Sequence, residues 1–308
     1  MTAFLASCVV AGVPLLFATV GELLTEKSGN LNLGVEGMML MGAVLGFTTA
    51  YNTSNPYLTI LAAALAGAGC ALIYAFITVS LRANQTVTGL TLTIFGTGLS
   101  KFLGQNYLGS GVPANVSQFF AKTSIPVLGD IPFIGDIFFR QDKFTYIAYI
   151  VCIAAAVYMY KTRIGLNLKA VGENTSAADA SGINVKLYKY VHILIGGALC
   201  GLGGAYLSIV RIPIWQEDVV NGRGWIAVAL VIFVAWNPVK AFFGSILFGG
   251  LSIMGMKLQV LGLDFSQYLF DMIPYVATII IVIFSTHKKR KESQPPQDLG
   301  NNYFREER

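Results

Sequence analysis

Two histidines (His192 and His287) and four cysteines (Cys8, Cys70, Cys152 and Cys200) are the chain's soft metal-ligand and nucleophile inventory, and each cysteine sits inside an apolar run. Neither set has the spacing of a metal site or of a disulfide framework, so no metal is expected and the cysteines read as small buried hydrophobes. No Ser/His/Asp or Cys/His arrangement is visible, and no GxxxxGK[ST] loop that could cradle a nucleotide phosphate. Catalytic residues and cofactors are therefore expected to be none. The polar groups that stand out lie in apolar surroundings. Glu36 falls inside an apolar run, where an ionisable group is expensive and usually faces a polar interior, and Asn32 lies at the entrance to the same run. Glu36 is also close enough to the end of its run to reach the interface or to pair with Lys27, and Asn30 and Asn32 are equally suited to capping the helix start. The stretch NQTVTGLTLTIFGTGLSKFLG (84–104) puts Asn84, Thr88 and Thr91 on one helical face and Thr86, Thr93 and Thr97 on the other. Threonines in such helices often bond their own backbone. The Asn84 face is preferred as a pathway lining, because an amide both donates and accepts.

The elements that position these groups follow from composition. Of 308 residues, 55% are hydrophobic and only 12% charged, and the mean hydropathy is +0.63. A soluble domain carries about twice that charge, so the class is an integral membrane protein. A hydrocarbon core about 30 Å thick needs about 20 apolar helical residues. Runs near 3–23, 31–51, 57–80, 85–104, 144–160, 190–210, 240–258 and 266–285 qualify, and the last contains Asp271, a pairing or pathway carboxylate. A ninth, 224–236, spans only about 20 Å and needs protein around its ends. The expected fold is an all-α polytopic membrane helix bundle of about nine spans, with eight to ten as bounds. The first run lacks a basic flank, so no cleavable signal peptide is expected.

Charge sets orientation. If the tail Lys288-Lys289-Arg290-Lys291 is cytoplasmic, alternation places Lys27, Arg82, Lys240 and the basic residues of 161–189 on the same side. The balance then strongly obeys the positive-inside rule, with the N-terminus outside and the C-terminus cytoplasmic. The net charge of +5 suits an anionic membrane face rather than nucleic acid. Residues 1–287 form the membrane domain, 105–143 an extracytoplasmic segment with one interfacial helix, and 288–308 a polar tail. Lys101 and Lys257 are expected to snorkel, and Trp215, Trp225 and Trp236 to anchor at interfaces.

The insert KAVGENTSAADASGINVK (169–186) is longer than joining two spans requires. Cap residues Asn174, Thr175 and Ser176, an alanine-rich turn and a terminal Gly182 spell a short helix, with Glu173 near its positive end. A solvated loop with one incidental turn is the plainer alternative.

Three quoted stretches carry a resemblance. AVGENTSAADASGINV resembles the cytoplasmic coupling segment of permease subunits from ABC importers of the branched-chain amino acid, ribose and nucleoside group, although Thr175 stands where proline is common. GELLTEKSGNLNLGVEGMMLMGA (21–43) is similar to the signature of nucleoside permeases that work with basic-membrane-protein lipoproteins. GRGWIAVALVIFVAWNP (222–238) resembles that subfamily's later motif, with Val234-Ala235 where glycine and a basic residue are common. The resemblance implies the importer transmembrane fold and an ATPase-coupling role for Gly172, Glu173, Asn174, Ala177, Ala178 and Gly182. It also implies a second permease subunit, cytoplasmic ATPases, an external substrate-binding lipoprotein, a nucleoside-like substrate and a bacterial plasma membrane. Branched-chain amino acids or simple sugars remain alternative substrates. From another class, an ion-coupled secondary transporter would use Glu36 and Asp271. An intramembrane enzyme is disfavoured.

Overall fold

The computed structural model describes residues 2–260, 272–273, 275–280, 283 and 294–304. Eleven helices are described: α1 (Thr2–Lys27), α2 (Val35–Thr53), α3 (Pro56–Ala75), α4 (Gln85–Gly104), α5 (Ala114–Phe119), α6 (Lys143–Lys161), α7 (Arg163–Glu173), α8 (Thr175–Ala180), α9 (Val185–Tyr206), α10 (Arg223–Phe233) and α11 (Pro238–Val260). Among the described residues, the apolar segments Thr2–Lys27, Pro56–Ser80, Lys143–Lys161 and Val185–Arg211 are long enough to cross a membrane, the second and fourth by running on through a wider π-type turn. α2 and α4 supply 19 and 20 residues more. The bundle is polytopic and mostly helical. It is not wholly α: β1 (Lys122–Ser124) pairs antiparallel with β2 (Arg140–Asp142), and this hairpin follows α5 within the segment expected to hold a single interfacial helix. Of the expected run 266–285 only residues 272–273, 275–280 and 283 are described, and they are helical; Asp271, the Lys257 side chain and the basic run 288–291 lie outside the described residues or side chains.

α9 occupies the centre, and its glycines explain why. Without a hydrophobic driving force between helices in lipid, close backbone approach has to supply the dispersion energy. Gly196 lies against the backbone of Gly21, Gly197 against Gly67, Gly201 against Gly42 and the Ala63 carbonyl, and Gly204 against Met39. One helix face thus meets α1, α2 and α3 at backbone distance. A Cβ placed on Gly197 would stand 2.6 Å from the Gly67 carbonyl, nearer than real Cβ atoms come. The same device seats α4 on α2 through Gly96 against Gly37, and α11 on α1 through Gly249 against Gly12.

Several polar groups are satisfied inside the bundle, although among the described residues Thr19 Oγ1, Gln141 Oε1, the Tyr149 hydroxyl and the Trp215 indole N–H are buried without a hydrogen-bond partner. His192 bridges α9 to α6: its Nδ1 lies 2.6 Å from the Tyr188 carbonyl and must carry the proton, so Nε2 accepts from the Tyr158 hydroxyl at 2.7 Å. The four cysteines are free and buried. Trp215 and Trp236 are buried as well, at 2% and 4% exposure, so both depart from the expected interfacial belt. Trp215 packs on Gly104 and Phe47 because a missing Cβ and a neighbouring ring leave an aromatic-sized slot. Lys101 reaches the surface and is held by Asp218 at 2.7 Å.

The helix seam makes a specific prediction. Gly197→Leu or Gly201→Val should abolish the monodisperse peak of the detergent-solubilised chain in size-exclusion chromatography. Gly69→Ala, at a position with nothing within 4 Å of the added carbon, should leave it unchanged.

Candidate functional site

One end of the bundle gathers the C-terminus of α1, the α3–α4 connection, α7, α8, the start of α9 and residues 294–304. The 161–189 segment here is a two-helix unit rather than a loop with one short helix. α7 was not anticipated. It starts from Thr162, whose hydroxyl accepts the Gly165 N–H, and runs to Glu173. Its Lys169 ammonium sits over the Tyr160 ring, and partial burial lowers its pKa from the usual lysine range.

Asn174 joins the two helices. Its N–H closes α7 on the Ala170 carbonyl at 3.0 Å, and its side-chain oxygen accepts the Ala177 N–H at 2.8 Å to open α8. The short helix is therefore present where the cap chemistry put it. Glu173 needs a correction, since it is the last residue of α7 and faces the negative end of that helix as well as the positive end of the next. α8 ends in a Schellman arrangement: Gly182 N–H donates to Asp179 O at 3.0 Å and Ile183 N–H to Ala178 O at 3.1 Å. Gly182 has φ +83°, a conformation that other residues adopt at a cost.

The six expected coupling positions divide by face. Glu173, Asn174, Ala177 and Gly182 are exposed, and so are Ser176, Ala180 and Ser181. Gly172 and Ala178 are buried and attach the unit to the body. Gly172 touches the Lys27 carbonyl at the end of α1, while Ala178 joins Val171, Val185 and the Tyr303 ring in a small apolar cluster separate from the main core.

The expected pathway residues fall into two groups. Asn32 and Glu36 are buried and occupied. The Asn32 amide donates to Glu22 Oε2 at 3.1 Å, and its oxygen accepts the Gly34 N–H at 2.9 Å. Glu36 caps α10: Oε1 accepts the Gly222 N–H at 2.8 Å and Oε2 the Gly224 N–H at 2.6 Å. Its partner is a helix N-terminus rather than Lys27, because the short α10 begins inside protein and its unpaired amides need an acceptor there. Asn84, Thr88 and Thr91 lie on the face of α4 turned away from this chain's core. Asn84 caps α4 through the Val87 N–H, and the Thr88 hydroxyl donates to the Asn84 carbonyl at 2.7 Å. On the other face, Thr93 donates to the Leu33 carbonyl at 2.9 Å and belongs to packing.

Two buried carboxylates escaped the sequence reading. Glu22 is fully buried and accepts both the Asn32 backbone N–H and its amide. Glu26, 1% exposed, accepts the Trp236 indole N–H at 2.5 Å just beyond α10. Their signal was available: two acids four apart share one face of an apolar helix, and ionisable groups at membrane depth rarely lack a partner.

Comparison with known proteins agrees with this architecture. Residues 4–282 match the family described as branched-chain amino acid transport system / permease component, and the chain belongs to that family. It is a membrane transport subunit, not an enzyme. A nucleoside ABC transporter permease of Lactococcus lactis subsp. cremoris is 36% identical over 310 residues, covering 97% of this chain and 96% of the relative. A guanosine ABC transporter permease of Bacillus subtilis is 35% identical over 88% of each chain. A putative glucose ABC transporter permease of Haloferax volcanii is 37% identical over 83% of this chain and 77% of the relative.

Capping by Glu36 has a measurable consequence. Glu36→Ala orphans the buried Gly224 N–H, which costs about 1–3 kcal/mol, and the part-buried Gly222 N–H, which costs less. Glu36→Gln keeps one acceptor, so thermal unfolding in detergent should rank wild type above Glu36→Gln above Glu36→Ala. Equal melting of all three would show that the carboxylate does not hold α10.

Proposed function

We propose that this chain is the membrane-spanning permease subunit of an ATP-driven ABC importer that takes up nucleosides across a bacterial plasma membrane. In this reading residues 1–287 form the permease domain, with the N-terminus and 105–143 outside. Segment 161–189 and tail 288–308 face the cytoplasm. The chain pairs with a second permease, identical or not, and with cytoplasmic ATPases and an external substrate-binding lipoprotein.

The observation that carries the reading is α8. It is a six-residue helix, closed at both ends, whose outer face offers only small side chains at Ser176, Ala177, Ala180 and Ser181. A rigid, smooth projection of this kind seats in a groove on a partner and moves as a body. Displacement passes into α7, and from Gly172 to the Lys27 carbonyl of α1. ATP-driven closure of the ATPases then rocks the spans between outward-open and inward-open states without covalent change to the substrate.

End-to-end similarity to the Lactococcus nucleoside permease supports the substrate class. The outer face of α4 supports it chemically. Asn84, Thr88 and Thr91 are followed one turn on by the exposed ring of Phe95. An amide, hydroxyls and an aromatic suit a ribose and a base, and between two permeases this face lines the path. Glu36 is committed to α10, which weakens an ion-coupled mechanism built on it. The Haloferax relative keeps simple sugars as the second reading.

The test is reconstitution of the whole transporter in liposomes. Nucleoside uptake driven by ATP is expected, and glucose uptake in its place would replace the substrate. Ala177→Arg puts a long cation on the docking face, and Gly182→Pro removes a used N–H where φ is positive. Both should insert normally yet lose uptake. Full uptake by both would remove α8 from the mechanism.

A further inference from the structure

Residues 294–304 run back across the α8 end of the bundle and touch every element assembled there. The Asp298 N–H donates to the Gly172 carbonyl of α7 at 3.0 Å, and its Oδ2 accepts the Thr175 N–H at the start of α8 at 2.6 Å. The Gly300 N–H donates to the Gly29 carbonyl just after α1 at 3.2 Å. The Asn302 amide donates to the Arg82 carbonyl at 2.6 Å and to Ala83 at 3.3 Å, and its oxygen accepts from Gln85 of α4 at 3.3 Å. The Tyr303 hydroxyl donates to Asp179 Oδ2 of α8 at 2.6 Å.

The segment also joins two cores. Leu299 packs on the main transmembrane cluster, and the Tyr303 ring packs on the small cluster that seats Ala178. The contacts made with α8 itself fall on its inner side, at Thr175, Ala178 and Asp179. Ser176, Ala177, Ala180 and Ser181 stay exposed opposite them. The segment therefore backs α8 and leaves its outer face open.

We propose that residues 294–304 are a strap that positions α8 against the transmembrane body, with Asp298, Asn302 and Tyr303 as its positioning residues. The role in transport rests on the reading of α8 as the coupling helix. Through the strap, a push on α8 reaches α1, the α3–α4 connection and α4 together, rather than α7 alone. A helix of six residues holds its place through such neighbours, because its own hydrogen bonds are too few to fix its orientation.

The experiment uses the full chain in its reconstituted transporter, spin-labelled at Ala180→Cys on α8 and Lys161→Cys at the end of α6. Both sites are exposed, and the four native cysteines are buried. Pulsed electron resonance then reports the spread of α8 positions. Asp298→Ala with Asn302→Ala should broaden the distance distribution and raise ATP hydrolysed per substrate imported, since losing a bond to a carboxylate shifts a local equilibrium by about tenfold. Asp298→Asn, which keeps an acceptor for Thr175, should restore both. Should the double variant fail to assemble, Tyr303→Phe keeps the ring in its cluster and removes the bond to Asp179, with the same broadening expected. An unchanged distribution in the variants that assemble overturns the strap. A broadened distribution with wild-type ATP per substrate confirms that the strap positions α8 and overturns the coupling reading instead.

Discussion

Everything in this bundle depends on how closely α9 approaches its neighbours. Hydrocarbon tails are as apolar as leucine, so helices in lipid associate through packing rather than through expulsion of water. Gly196, Gly197, Gly201 and Gly204 remove the side chains that would hold α1, α2 and α3 away. The result is a central post with three spans at backbone distance, and the remaining helices are added around it. Where the buried side chains are larger, as at Phe17, Phe144 and Tyr206, the rings meet edge to face, which fixes their mutual orientation.

A bundle that tight can carry an irregular insert. α10 has only 11 residues and is preceded by Asp218 and Asn221 and followed by Ala235 and Trp236, all at positive φ. Such backbone persists where surroundings over-determine it. Glu36 holds the first turn, and Glu26 holds the Trp236 indole past the last, so carboxylates from α2 and α1 pin both ends. With Glu22 on Asn32, the three buried acids are the polar fastening of α1, α2 and α10. All three lie in the stretch 21–43 and two of them bind groups in 222–238, the two stretches that resemble nucleoside permeases, and that contact gives a physical reason for both motifs.

At the end of the bundle that carries α8, a different economy applies. α7 and α8 share Asn174 as a double cap, and their small apolar cluster is separate from the main core. The unit is anchored to α1 at Gly172 and contacted by residues 294–304. A short helix needs such anchors, since local hydrogen bonds stiffen it without fixing its direction.

Much of this was legible in the residues. Hydropathy and length determined the membrane class and the long apolar helices, because a bilayer demands about 20 apolar residues whatever the fold. Asn174, Ala177 and Gly182 determined α8, because capping and left-handed glycine are local chemistry. Glu36 was conspicuous as a buried acid, yet its partner lies 186 and 188 residues away, at Gly222 and Gly224. The Asn84 face of α4 was only weakly preferred over the Thr93 face as a lining until Gly89 met the backbone of Leu33 and Gly34, Gly96 met that of Gly37 in α2, and Thr93 was turned inward. Trp215 and Trp236 looked like interface anchors until the bundle supplied a slot for one and a carboxylate for the other. Covalent neighbours set helices, caps and turns. Which side of each helix is inside, and which buried charge finds which amide, was decided only when distant segments came together.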